Sequence, residues 1–179
     1  MVTTTEGSAM TSERGCGTCT LCCKLMAVQA LAKPAGSWCR ACAPGKGCTT
    51  YDTRPSECRT FACLWLQTPG LPESYKPERS KLVMYYANNG EALGVQVDPA
   101  QPNAWRAPGV YEYLRRSAAE AERLRKHVFV SIGGRVLLLT ASGEIDYGRL
   151  PADKPWAFGW RLERVADTAR MVPFIDVAS

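Results

Sequence analysis

Histidine is almost missing from this chain. His127 is the only one, so a histidine-dependent hydrolase would lack a second partner, and imidazole can supply little of any metal site. Long apolar runs are missing too. The longest is Leu82-Val83-Met84-Tyr85-Tyr86-Ala87, far short of the ~20 residues a membrane-spanning helix needs, so no membrane partner is expected. The opening Met-Val-Thr-Thr-Thr-Glu-Gly-Ser has neither a basic stretch nor an apolar core, which gives no sign of secretion and leads to a cytoplasmic expectation. Nucleotide motifs are absent: Gly133-Gly134 reads as a hairpin turn, because no helix follows it to form a phosphate loop. Cysteine, finally, is absent from everything after Cys63.

That last absence defines what is present. All nine cysteines fall between Cys16 and Cys63. The chain of 179 residues has 46% hydrophobic and 22% charged residues, an ordinary globular balance that argues against disorder and for one domain or two small ones. Residues 1–15 read as a disordered tail. Residues 16–66 are rich in Gly, Pro and Cys, with room only for short helices over Leu21 to Leu31 and Pro55 to Leu66. So short a segment lacks an apolar core and needs a staple. Residues 67–80 carry three prolines and a glycine and read as a linker.

Beyond the linker the pattern changes. Lys81 to Ala87 and Leu93 to Val97 flank Asn88-Asn89-Gly90, a hairpin signal. Val110, Leu114, Ser117, Ala121, Leu124 and Val128 form one helical stripe, with Glu112–Arg116 and Glu122–Lys126 as i,i+4 pairs beside it. Val128 to Ile132 and Arg135 to Thr140 form a second hairpin about Gly133-Gly134. The order ββαββ predicts an α+β fold over residues 81–150, an antiparallel sheet with one covering helix, on which the metal-stabilised cysteine module packs. Residues 151–179, with Trp156, Trp160, Leu162 and Val165, read as an extension packing its aromatics on that domain. His127 is expected at the helix end, complementing its dipole.

Disulfides, reactive thiols and metal ligation are the three uses of clustered cysteine. An odd count without an export signal disfavours a disulfide framework. Cys16-Gly-Thr-Cys19 and Cys39-Arg-Ala-Cys42 are C-x2-C pairs, whose tight turns let two thiolates converge on an ion. The nineteen residues between them suit the two halves of a four-thiolate site. Cys22 and Cys23 are neighbours whose side chains diverge, which suits two ions or a cluster. Cys48, Cys58 and Cys63 could complete a second centre. On an unbroken helix Cys58 and Cys63 would stand about 140° apart and serve different sites. Trp38, Tyr51, Phe61 and Trp65 are expected to shield the centre from water. Arg54 and Arg59 flank Cys58 and favour its thiolate, or Arg54 pairs with Asp52.

The run Cys16-x2-Cys19-x2-Cys22-Cys23, then Cys39, then Cys48-Thr-Thr-Tyr51-x2-Arg54-Pro55-x2-Cys58-Arg59-x-Phe61 resembles the bacterial YkgJ-type cysteine-cluster family, described as zinc- or iron-chelating. The resemblance covers residues 16–66. It implies chelation by Cys16, Cys19, Cys22, Cys23, Cys39, Cys48 and Cys58, with Cys42 and Cys63 outside its firm pattern. A similar run in flagellin lysine methylases is associated with an iron–sulfur cluster.

Thiolates suit zinc and iron–sulfur alike. One or two zinc ions are the first expectation, iron or an iron–sulfur cluster the alternative. The expected role is a structural or sensory metal site without catalytic machinery of its own. The alternatives are an iron–sulfur protein in redox or protein-modification chemistry and a thiol–disulfide switch. Eight thiolates on two divalent ions would bring the formal charge of +5 down to about +1. That argues against nucleic acid, as does the interleaving of Glu112, Glu120 and Glu122 with Arg115, Arg116, Arg123, Arg125 and Lys126. A protein partner would meet the α+β domain.

Overall fold

The structure is a computed structural model, and it describes residues 14–151, 156–165 and 168–177. Most of the expected N-terminal tail therefore lies outside the described residues. The cysteine-rich segment is built from short pieces: helix α1 (Leu21–Leu25), strands β1 (Cys42–Ala43) and β2 (Gly47–Cys48), and helices α2 (Ser56–Thr60) and α3 (Leu64–Gln67). A further turn of helix, α4 (Pro77–Ser80), leads into the sheet.

The larger domain is α+β, as the pattern predicts. Strands β3 (Leu82–Ala87), β4 (Ala92–Val97), β5 (His127–Ile132), β6 (Arg135–Leu139) and β7 (Glu144–Arg149) form one sheet in that order. Both expected hairpins are present. Gly133 and Gly134 turn the second with φ of +55° and +90°, a conformation glycine adopts without steric cost. The sheet is not wholly antiparallel, however, because β4 and β5 run parallel. Helix α5 (Pro108–Arg123) lies in the connection between them, and a long crossover through a helix returns the chain in its original direction.

Alternation along the strands gives the sheet two apolar faces. Val95, Val97, Val128, Val130, Leu137 and Leu139 pack under Val110, Leu114 and Ala118 of α5. Phe129, Val136 and Leu138 point the other way. The expected helical stripe stops short: α5 ends at Arg123, Leu124 is exposed, and Val128 belongs to β5. Left-handed Arg125 turns the chain, so Lys126 meets Glu91 at 4.0 Å and the Gly90 carbonyl at 2.9 Å instead of Glu122. Glu122 accepts from the Ala141 N–H at 2.7 Å. Arg115 is no solvated cation either, since it donates to the carbonyls of Thr140, Ala141 and Gly143.

The second face is covered by the C-terminal extension. Strands β8 (Trp156–Val165) and β9 (Thr168–Val177) make an antiparallel ribbon, and Trp156, Phe158, Ile175 and Val177 pack on Phe129, Val136 and Leu138. His127, placed by sequence at a helix end, instead opens β5 and is buried beneath this ribbon. Its ring stacks on Phe158 at 4.8 Å, and its Nε2 lies 3.2 Å from the Gly159 carbonyl.

The cysteine-rich segment docks on the outer strand β3, through α1 and α3. Leu21, Leu25, Cys63, Leu64 and Trp65 join the same core as Leu82, Val83 and Met84. Lys24 of α1 clasps Asp98, just past β4, at 2.7 and 2.8 Å. Asp98 also accepts from the Ala100 N–H at 3.0 Å.

Candidate metal centre

Turns bring the cysteines together. The C-x2-C pairs do form tight turns: Cys19 N–H donates to the Cys16 carbonyl at 2.9 Å, and Cys42 N–H to that of Cys39 at 3.0 Å. Cys22 and Cys23 sit on α1, and the Cys39 N–H donates to the Cys23 carbonyl at 3.0 Å, tying the second pair to the first helix. Cys42 and Cys48 face each other across β1 and β2. Thr20, buried inside the motif, accepts from the Gly45 N–H at 3.1 Å and anchors that small hairpin to α1. Cys58 lies in α2, whose Glu57 carboxylate accepts from the Gln29 N–H at 2.8 Å.

The helix expected from Pro55 to Leu66 breaks at Phe61, so the fixed angle between Cys58 and Cys63 does not apply. Cys63 caps the N-terminus of α3 and is the most deeply buried thiol. Arg14 explains how so short a helix ends: its guanidinium donates to the carbonyls of Trp65, Thr68, Pro69 and Leu71 and lies over the Trp65 ring.

All nine cysteines are free thiols. Their mutual electrostatics divides them into two neighbourhoods. Cys63 is raised in pKa by burial and by the charges of Cys16 and Cys19, against the opposing N–H groups of Leu66 and Trp65. Cys16 is raised by burial, then by Cys19 and Cys23. The second neighbourhood centres on Cys23, whose pKa is driven far up by Cys22 and by burial while Cys42 pulls it down. Burial and Cys23 push Cys42 up to about 11. Cys58 is raised by burial, then by Cys23, Cys39 and Cys48. The two C-x2-C pairs thus lie in different neighbourhoods, with the charge of Cys23 acting in both.

Several expected neighbours behave differently. Trp38 and Tyr51 are 45% and 51% exposed and shield nothing, because each sits on a loop outside the apolar interface with β3. Arg54 does not pair with Asp52; it stacks on Tyr51 and donates to the carbonyls of Tyr51 and Cys58. Phe61 packs on Tyr85, with 6.0 Å between centroids, and Trp65 is buried. The Trp65 indole Nε1 is the one fully buried side-chain nitrogen or oxygen without a hydrogen-bond partner among the described residues.

The donor chemistry fits a thiophilic ion: uncrosslinked sulfurs carried in part on tight C-x2-C turns. Among the described residues, no three Cys, His, Asp or Glu side chains converge closely enough to hold one ion. No motif marks Lys33. It is buried beside the Cys23 neighbourhood, and Lys-Pro in a loop gives no sequence signal of that burial. No helix among the described residues is long and apolar enough to cross a membrane. The chain matches no family model, no curated protein and no solved structure.

Proposed function

We propose that residues 16–66 bind zinc or iron through cysteine thiolates, as a structural or sensory centre that holds this segment on the α+β domain. The observation that carries the reading is the gathering of nine uncrosslinked thiols from six short elements and turns into two adjoining neighbourhoods. Thiols this close repel once ionised, and a cation removes that penalty while replacing the apolar core the segment lacks. The resemblance of these residues to the YkgJ-type cysteine-cluster family supports the same reading, with Cys16, Cys19, Cys22, Cys23, Cys39, Cys48 and Cys58 as ligands. Cys42 and Cys63 are added by their positions beside Cys23 and beside Cys16 and Cys19.

When bound, the ion supplies charge neutralisation and cross-linking. The chain's own part is to present sulfur from the turns at Cys16–Cys19 and Cys39–Cys42 and from α1, α2 and β2. Such thiols belong in a reducing compartment, the cytoplasm. Elemental analysis and an optical spectrum of anaerobically purified protein test this. Colourless protein with stoichiometric zinc establishes the first form of the reading, and brown protein carrying iron establishes the iron–sulfur form. Metal-free protein whose nine thiols all react freely with an alkylating reagent would refute both.

A further inference from the structure

Lysines around the cysteine segment are mostly paired with carboxylates. Lys24 has Asp98 at 2.7 Å, and Lys76 has Glu78 at 2.8 Å. Lys33 differs. It is 8% exposed, yet among the described residues no carboxylate lies within ion-pair distance of it. Its ammonium donates only to neutral carbonyls, those of Lys24 at 3.3 Å, Pro34 at 3.1 Å and Met26. The backbone fixes it in place, since Val28 and Lys33 exchange N–H···O bonds of 3.0 Å in both directions.

A buried ammonium among carbonyls alone is strongly unfavourable, so a charged lysine here calls for an anion nearby. Two carboxylates that bond this part of the chain are engaged elsewhere: Asp98 with Lys24, Glu57 with the Gln29 N–H. Its ammonium holds the Lys24 and Met26 carbonyls at the end of α1, the helix that carries Cys22 and Cys23. Burial lowers its pKa, and the charges of Cys39, Cys23, Cys22 and Cys58 oppose that fall. Protonated thiols would leave this cation without a counter-charge, whereas ionised, metal-bound thiolates would supply one.

We infer that Lys33 is a positioning residue for the metal centre, a fixed positive charge that compensates the thiolates of Cys22, Cys23, Cys39 and Cys58. The inference rests on the metal-binding reading above and adds a specific electrostatic partner to it. A purely structural role is the competing account: three N–H bonds that tie down the chain leaving α1.

Replacement separates charge from hydrogen bonding. Lys33→Gln keeps donors and loses the charge; Lys33→Arg keeps the charge. Full-length proteins are titrated with Co2+ alone against a competing chelator at neutral pH, following the sulfur-to-cobalt charge-transfer band. Lys33→Gln should lower affinity about tenfold or more, and Lys33→Arg should stay within about threefold of the parent. Equal affinity of Lys33→Gln and the parent, or an equal fall in both variants, would overturn the inference. If Lys33→Gln does not fold, NMR of the zinc-loaded parent decides: a charged, slowly exchanging Lys33 ammonium is required, and a neutral amine there overturns the proposal. A parent without any charge-transfer band would instead overturn the metal reading itself, and this inference with it.

Discussion

Gly94 sits in β4, hydrogen-bonded to β3 on one side and to β5 on the other. A glycine inside a central strand ordinarily weakens it, so Gly94→Ala should stabilise by propensity alone, by up to about 1 kcal/mol. The structure predicts the opposite sign. A Cβ at this position would lie 2.7 Å from Tyr85 Cζ and 2.9 Å from Phe129 Cζ, where ordinary carbon contacts start near about 3.5 Å. Neither ring has room to yield. Tyr85 is held between Phe61 at 6.0 Å and Phe129 at 6.4 Å, and Phe129 also meets Phe158 at 5.0 Å and Trp156 at 5.7 Å. Overpacking costs about 1–3 kcal/mol, and with two rings obstructed at once we expect the upper end, about 3 kcal/mol. For a chain of this size that lowers Tm by roughly 6–12 °C. Urea denaturation followed by tryptophan fluorescence, with scanning calorimetry, measures both. Tyr85→Leu removes one obstructing ring, so the double variant should show a coupling of about 1–2 kcal/mol relative to the sum of the singles. Gly94→Ala within about 0.5 kcal/mol of the parent, or strict additivity, would refute the packing argument.

Four further outcomes follow from the same structure. Burial alone would raise the pKa of Asp98, but the Lys24 ammonium, the Ala100 N–H and the Lys81 charge hold it below the usual carboxylate value. Its contribution is therefore full above about pH 4 and is lost as pH falls further; Asp98→Asn should cost about 2 kcal/mol near neutrality and flatten that acid slope in urea titrations. Burial also lowers the pKa of His127, against the Gly159 carbonyl and Glu91. The ribbon should hold fully above about pH 6.5 and loosen as pH falls below it, seen as a change in Trp156 and Trp160 fluorescence that His127→Gln abolishes. Cys23 adjoins both thiol neighbourhoods, so Cys23→Ser should lower metal content more than Cys48→Ser does; equal metal content by elemental analysis would contradict its central place. Because Cys16, Cys23, Cys42, Cys58 and Cys63 all have raised pKa values, metal uptake must release protons, and a pH-stat titration that detects none would exclude thiolate ligation.

Local chemistry was legible in the sequence where one short stretch decides the outcome. Gly133-Gly134 and Asn88-Asn89-Gly90 announce their turns, and the stripe through Val110, Leu114 and Ala121 announces α5. Pairing direction was not legible, because nothing in β4 or β5 alone states that a helix will return the chain parallel. The ribbon is not legible although Trp156, Phe158, Trp160 and Leu162 alternate with period two; aromatics in an extension read equally well as irregular packing. The cysteine spacing shows where the thiols concentrate, but not how they divide. Cys63 joins Cys16 and Cys19 only because α2 ends at Phe61 and α3 restarts the helix. Lys33 was invisible for a similar reason: its burial depends on how the chain folds back after α1.

The outermost strand of the main sheet, β3, carries Leu82, Val83 and Met84, each at most 2% exposed because the cysteine segment lies over them. If that segment came loose, an apolar, β-prone strand margin would face solvent, the feature through which chains assemble side by side into aggregates. The docking of the first third of the chain thereby guards the colloidal behaviour of the remainder.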